Sequence, residues 1–109
     1  MTGIEQIAAE RQRQIDREGW TPEHDDTHMD GEMIEGARAY LSAAFLAEAG
    51  RRWIGEPPAA WPWNQSWWKP SADPIRNLEK AGALIAAEID RLQRADKLLG
   101  HDVQRSAHD

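Results

Sequence analysis

A chain of 109 residues without a cysteine is one domain of ordinary size, with a modest core and neither a disulfide framework nor a thiolate metal site. Its 19 acidic and 13 basic residues leave a formal charge of −6, which argues against non-specific binding to a nucleic-acid backbone but leaves room for local arginines to meet a small anion. The opening MTGIEQIAAERQRQ lacks the basic start and apolar run of a signal peptide. No stretch approaches the roughly 20 apolar residues that span a bilayer, so a soluble, cytoplasmic protein without membrane contact is expected.

The first periodic segment runs from Thr2 to Gly19, with Ile4, Ile7, Ala8, Arg11 and Ile15 on one face at helical spacing. Thr2 and Glu5 have the spacing of a capping box, and Gly19 suits a left-handed stop. A connection at residues 19–30, GWTPEHDDTHMD, leads to the second helical segment, with Asp30 as N-cap and Gly50 as stop. Its expected apolar face is Met33, Ala37, Tyr40, Leu41, Ala44 and Phe45. A long connection at 51–73 follows, and then the third segment, capped by Asp73 with Pro74 in its first turn. Here Ile75, Leu78, Gly82, Ile85, Ile89 and Leu92 repeat as a heptad seam, with Glu88–Arg91 and Asp90–Arg94 as exposed pairs. Gly82 within that seam implies a close helix crossing or a bulky ring packed against it.

Strand patterns are missing. The expected fold is therefore all-α: a three-helix antiparallel bundle with a long, ordered Trp/Pro-rich loop between the second and third helices. Residues 1–97 form the single domain and 98–109 a C-terminal tail, frayed or packed against another chain. The seam running on towards Leu99 outreaches two shorter helices, and surplus apolar surface of that kind points to a homo-oligomer.

The long connection holds five of the six tryptophans, four of them in WPWNQSWWKP, residues 61–70. Pro57, Pro58, Pro62 and Pro70 forbid helix and stiffen it. Each indole removes on the order of 150–250 Å² from water when buried. The segment therefore reads as a rigid strap supplying a loop-borne core. Trp63, Trp67, Trp68 and, from the first connection, Trp20 offer faces on which a base or another planar group stacks. Arg11, Arg17, Lys69 and Arg76 would meet the ligand's negative charge, while His24, Asp25 and Asp26 would accept its hydrogen bonds.

His24, Asp25, Asp26, His28 and Asp30 also crowd seven residues, with Glu32 and Glu35 following. Imidazole with carboxylate suits a divalent ion such as Zn, Mn, Fe or Ni, and His24, His28, Glu32 and Glu35 are the candidate ligands. A helical turn started by Thr21 and Pro22 would place His24 and His28 on one face. Thr21, Asp26 and Asp30 serve equally as caps, and a His–Asp pair orients a loop with no metal, so no cofactor is required. Glu32 and Glu35, in EMIE, are similar to the E-x-x-E half of the Mg²⁺ cage in all-α nucleotide pyrophosphohydrolases. The second half, E-x-x-D, is absent, since AEIDR sets Glu88 and Asp90 two apart on diverging faces. No nucleophile elbow, phosphate loop or dinucleotide fingerprint occurs.

Taken together, ERQRQIDREGWTPEHDDTH, WPWNQSWWKP and LEKAGALIAAEIDRL resemble a widespread group of small bacteriophage and prophage accessory proteins, over Glu10 to Arg94. That resemblance implies a phage or prophage setting, with the host cytoplasm as location, and no catalytic residues. GWTPEHDD is also faintly similar to the Gly-Trp and acidic positions of ryanodine-receptor-type repeat domains, without the rest of that motif. The sequence thus leads to a non-catalytic binding protein for a nucleotide-like or other planar anion, with sequestration of a host defence signal as its use. The alternatives are a protein–protein inhibitor of a host defence enzyme and a metal-dependent nucleotide pyrophosphohydrolase.

Overall fold

The computed structural model describes residues 1–98; of the tail expected at 98–109 only Leu98 is described, as the last residue of a helix, and the rest, with the continuation of the seam to Leu99, lies outside the described residues. The all-α expectation holds, with no strand among these residues. Four helices replace the expected three: α1 (Gly3–Glu18), α2 (Pro22–Asp25), α3 (Glu32–Glu48) and α4 (Pro74–Leu98), with a 3-10 turn at Gln65–Trp67. The added helix, α2, is the turn that Thr21 and Pro22 favour. Thr21 Oγ1 accepts the His24 N–H at 3.2 Å, and Pro22 fills the first position.

The termini follow local chemistry. Glu5 N–H donates to Thr2 Oγ1 at 3.2 Å while Thr2 N–H donates to Glu5 Oε1 at 2.8 Å, completing the capping box. Asp73 Oδ1 accepts the Ile75 N–H at 2.9 Å and starts α4. Helix α3 departs from expectation: Gly31, at φ 79°, stands at the cap in place of Asp30. The reason is Glu32, whose Oε1 reaches back to accept the Asp30 N–H at 2.6 Å.

Helix α4 packs chiefly on α3 and then on α1, with α2 against it. The core between α3 and α4 is built from alanines (Ala37, Ala39, Ala43, Ala81 and Ala87) together with Met33, Leu84, Tyr40 and Trp68. Small side chains let the helices approach closely, and the indole supplies the volume. The expected faces hold in part: Met33, Ala37, Tyr40 and Ala44 of α3 are buried as the spacing implies. On α1, Ile4 and Ala8 point outward, Ile7, Arg11 and Ile15 are half-buried, and Glu10 and Gln14 are the buried pair. Leu41 and Phe45 of α3 are exposed, as are the seam residues Ile75, Leu78, Ile85, Ile89 and Leu92 of α4. On α3 and α4 an alanine stripe lies beside the exposed aliphatic one, and the alanine stripe is turned inward.

Gly82 does mark a close crossing, made by an aliphatic side chain: a Cβ there would stand 2.6 Å from Ile7 Cδ1. The glycine under a ring is Gly36, where a Cβ would stand 2.4 Å from Trp63 Cζ3. The ion pairs also differ. Glu88–Arg91 is buried, at 2.6 and 3.0 Å, and Arg94 reaches Asp26 at 2.8 Å rather than Asp90.

The strap is held by side chains where its prolines deny it backbone pairing. Trp53 Nε1 donates to the Glu56 carbonyl at 2.8 Å and Trp61 Nε1 to the Asn64 carbonyl at 3.1 Å, each closing a three-residue step. Fully buried Asn77 pins the far end, accepting the Ser71 N–H and donating to the Ser71 carbonyl, both at 2.8 Å. No helix among the described residues is long and apolar enough to cross a membrane.

Candidate functional site

The aromatic rings form one chain of contacts. Trp68 lies in the core against Tyr40 at 4.9 Å, Trp61 at 5.0 Å and Trp53 at 5.6 Å. Trp61 meets Trp63 edge-on at 5.2 Å, Trp63 meets Trp20 at 5.4 Å and His28 at 5.6 Å, and Trp20 meets Trp67 at 6.3 Å. The two connections therefore converge, the indoles of the strap meeting the imidazoles of α2 and its neighbouring loop.

Their meeting leaves an open cleft of about 270 Å³, lined by Glu18, Trp20, His24, His28, Trp63, Asn64 and Trp67. Its apolar walls and few polar groups are those of a small-molecule site, at the small end of the usual range. His24 Nε2 and His28 Nε2 are 3.3 Å apart, one ring nitrogen donating to the other, and His28 Nδ1 lies 3.3 Å from Glu32 Oε2. Behind Trp20 and Trp67 is a recess of about 20 Å³, room for about one water, lined by Glu10, Arg13, Gln14, Glu18, Tyr40, Lys69, Lys80 and Leu84 as well as those two indoles. Lys80 Nζ donates to the Lys69 carbonyl at 2.6 Å and lies 5.3 Å from the Tyr40 ring centroid. Burial, and next the charge of Arg76, hold Lys80 below the usual lysine range. A neighbouring anion would relieve both effects.

The walls are braced by ion pairs. Arg11 bridges α1 to α2, pairing with the buried Asp25 while Nη1 donates to the Trp20 carbonyl at 2.9 Å. Burial pushes the Asp25 carboxyl above its ordinary value, against the opposing charge and hydrogen bond of Arg11. Glu10 accepts from Arg13 at 2.8 Å and from Arg76 at 2.7 Å, which ties α1 to α4 behind the recess. Burial alone would raise Glu10, but the hydrogen bonds and charges of the two arginines outweigh it and hold the group below 4.5. A carboxylate depressed in the folded state contributes stability above its unfolded value and loses it as pH falls through the folded one. The melting-temperature gap between wild type and Glu10→Gln is therefore expected to be wide at neutral pH and to close as pH falls through the depressed range of the folded carboxyl, as followed by circular dichroism.

Of the residues expected to bind, Trp20, His24, Trp63 and Trp67 line the cleft, and Lys69 lines the recess. Trp68 does not, because it fills the core. Asp25 is sealed against Arg11, and Asp26 is engaged by Arg94. Arg76 is spent on Glu10 and Glu79, and Arg17 is exposed on α1 outside both linings. The four expected metal ligands are not gathered into one site. Glu32 turns back to His28 and Asp30 N, Glu35 turns to Arg38 at 3.5 Å, and among the described residues no group of three or more His, Asp or Glu is placed to hold a metal.

Glu18, Asn64, Arg13 and Lys80 line these spaces without having been singled out in the sequence. Asn64 could have been found within the tryptophan block; Lys80 and Arg13 sit on helix faces that read as ordinary solvated surface. Compared with known proteins, the chain matches no family model, no curated protein and no solved structure.

Proposed function

We propose that this chain is a non-catalytic binding protein for a small planar anion of the nucleotide-like class. The observation supporting this is the cleft itself: three indoles and two imidazoles from both connections enclose space for one aromatic heterocycle. Trp20 and Trp67 also line the recess with Lys69 and Lys80. A base stacks between the indoles, and its anionic group rests at the mouth of the recess beside the two lysines. His24, His28 and Asn64 supply hydrogen bonds to the base edge or the sugar. No step of bond making is assigned to these residues. In the phage setting that the sequence resemblance implies, such a protein sequesters a nucleotide-type signal of the host.

The test is a titration with mononucleotides, dinucleotides and cyclic nucleotides, followed by tryptophan fluorescence and calorimetry. Quenching that saturates with one of these classes is expected. Trp20→Ala is expected to weaken that ligand by about 1–3 kcal/mol, roughly 5- to 150-fold. Lys69→Ala is expected to weaken a charged ligand while leaving the matching neutral nucleoside unaffected. No response to any member of the panel overturns the reading.

A further inference from the structure

The heptad seam read in the sequence is real as a pattern, yet it lies outside the folded chain. Ile75, Leu78, Ile85, Ile89 and Leu92 of α4 are each 43–53% exposed, and Ile34, Leu41 and Phe45 of α3 are 49%, 45% and 74% exposed. None of these residues lines the cleft or the recess. We infer that this α3–α4 face pairs with the same face of a second copy of the chain, forming a two-fold dimer with four long helices around a shared aliphatic seam.

Three observations select a second copy as the occupant. The first is area. Eight large apolar side chains, each 43–74% exposed, stand together on two packed helices, where single scattered ones are normal for a monomer, and a standard stable interface buries about 800 Å² per partner. The second is self-complementarity. A two-fold interface requires knob and hole on the same surface, so that residue i meets j while j meets i. Phe45 is the knob, the most exposed of the eight, and the hole is an apolar groove of about 250 Å³ between α3 and α4, floored by Ala37 and walled by Ile34, Leu41, Ile85 and Ile89. The third is period. Aliphatic residues recurring every three and four positions along α4 form the pattern by which one helix seats against others in a coiled-coil or four-helix arrangement. Within the monomer α3 packs on the alanine stripe instead, and the seam is met at Gly82, by Ile7 of α1.

Sedimentation equilibrium at micromolar concentration tests the inference, with twice the 12.4 kDa chain mass expected. The double variant Ile85→Glu, Ile89→Glu is expected to sediment as a monomer, since pairing would then bury unpaired carboxylates, with a dissociation constant raised at least about a hundredfold. Helicity and tryptophan emission should be unchanged. Ile54→Glu, at a still more exposed isoleucine of the strap, is expected to remain dimeric. Phe45→Ala removes a side chain that the monomer's core does not use and is expected to weaken the dimer by about tenfold or more; it carries the test should the double variant lose helicity. A wild-type chain that stays at monomer mass overturns the inference, as does a dimer indifferent to Phe45→Ala or to the two carboxylates introduced at 85 and 89. A monomer that pairs only with a different protein also overturns it.

Discussion

Replacing Asp25 by alanine is expected to cost about 3–5 kcal/mol, because it leaves the Arg11 guanidinium uncompensated in a site from which water has been removed. That is a large share of the roughly 5–15 kcal/mol that holds a typical domain folded. Urea denaturation should show the midpoint falling with little change in slope. The control is the double variant Asp25→Ala, Arg11→Met. Removing both charges takes away the penalty with the attraction, so this chain should recover most of the loss. If the double variant is as unstable as the single one, Arg11 and Asp25 matter for packing rather than for charge. The same pair should govern the cleft. Arg11 holds the Trp20 carbonyl and anchors α2, which carries His24, so Asp25→Ala should also abolish ligand-dependent quenching.

The second large effect separates two glycines that are alike in sequence. Gly36 and Gly82 both interrupt helices, and alanine at either gains up to about 1 kcal/mol of helix propensity. At Gly82 the new methyl meets Ile7 Cδ1, Cγ1 and Cγ2 at 2.6, 2.7 and 3.3 Å; Cδ1 is the free end of a half-buried side chain and can swing away, while the branched carbons must shift by turning χ1. Gly82→Ala should therefore cost little, its propensity gain offsetting most of the crowding. At Gly36 it meets Trp63 Cζ3 and Cη2 at 2.4 and 2.7 Å, with Leu84 Cδ1 at 3.2 Å beyond. A planar ring already held by Trp20, Trp61 and His28 has no rotamer to yield to. Overpacking of that kind costs typically about 1–3 kcal/mol, so Gly36→Ala should be destabilising on balance despite its propensity gain. Because the displaced ring is a wall of the cleft, the variant should also show altered tryptophan emission. Thermal melts of the two alanine variants side by side would decide the matter: equal changes would mean that Trp63 does not rest on Gly36.

How much of this was legible in the residues depends on the kind of signal. Helix ends were readable where one side chain meets one amide, as at Thr2, Gly19 and Asp73, because that chemistry spans three or four positions. The start of α3 was not, since it turns on whether Asp30 or the reaching Glu32 takes the loop amide. Periodicity located the helices and most of the inner face of α3, at Met33, Ala37, Tyr40 and Ala44, but misassigned the inner faces of α1 and α4. Hydrophobicity ranks isoleucine above alanine, yet close approach and the volume of Trp68 favoured the alanine stripe. That choice depends on contacts between residues as far apart as Tyr40 and Trp68, which spacing does not encode. The meeting of the two connections was anticipated from their composition, whereas the division of labour within them was not. Asp25 and Trp68 have the residue types of a binding site but are sealed by Arg11 and by the core, and Lys80 entered from a helix face with nothing in its sequence neighbourhood to announce it.

Four of the five indole nitrogens of the strap divide into two kinds. Trp53 and Trp61 donate to carbonyls three residues ahead, while the Trp63 and Trp68 N–H groups are buried with no acceptor among the described residues. A buried donor left unsatisfied carries a penalty of about 1–3 kcal/mol. At positions 63 and 68, then, nitrogen is a liability that accompanies a needed ring. A bicyclic analogue with sulfur or carbon in its place, introduced biosynthetically, would keep the shape and shed the penalty there, while the same exchange at 53 and 61 would unfasten the segment.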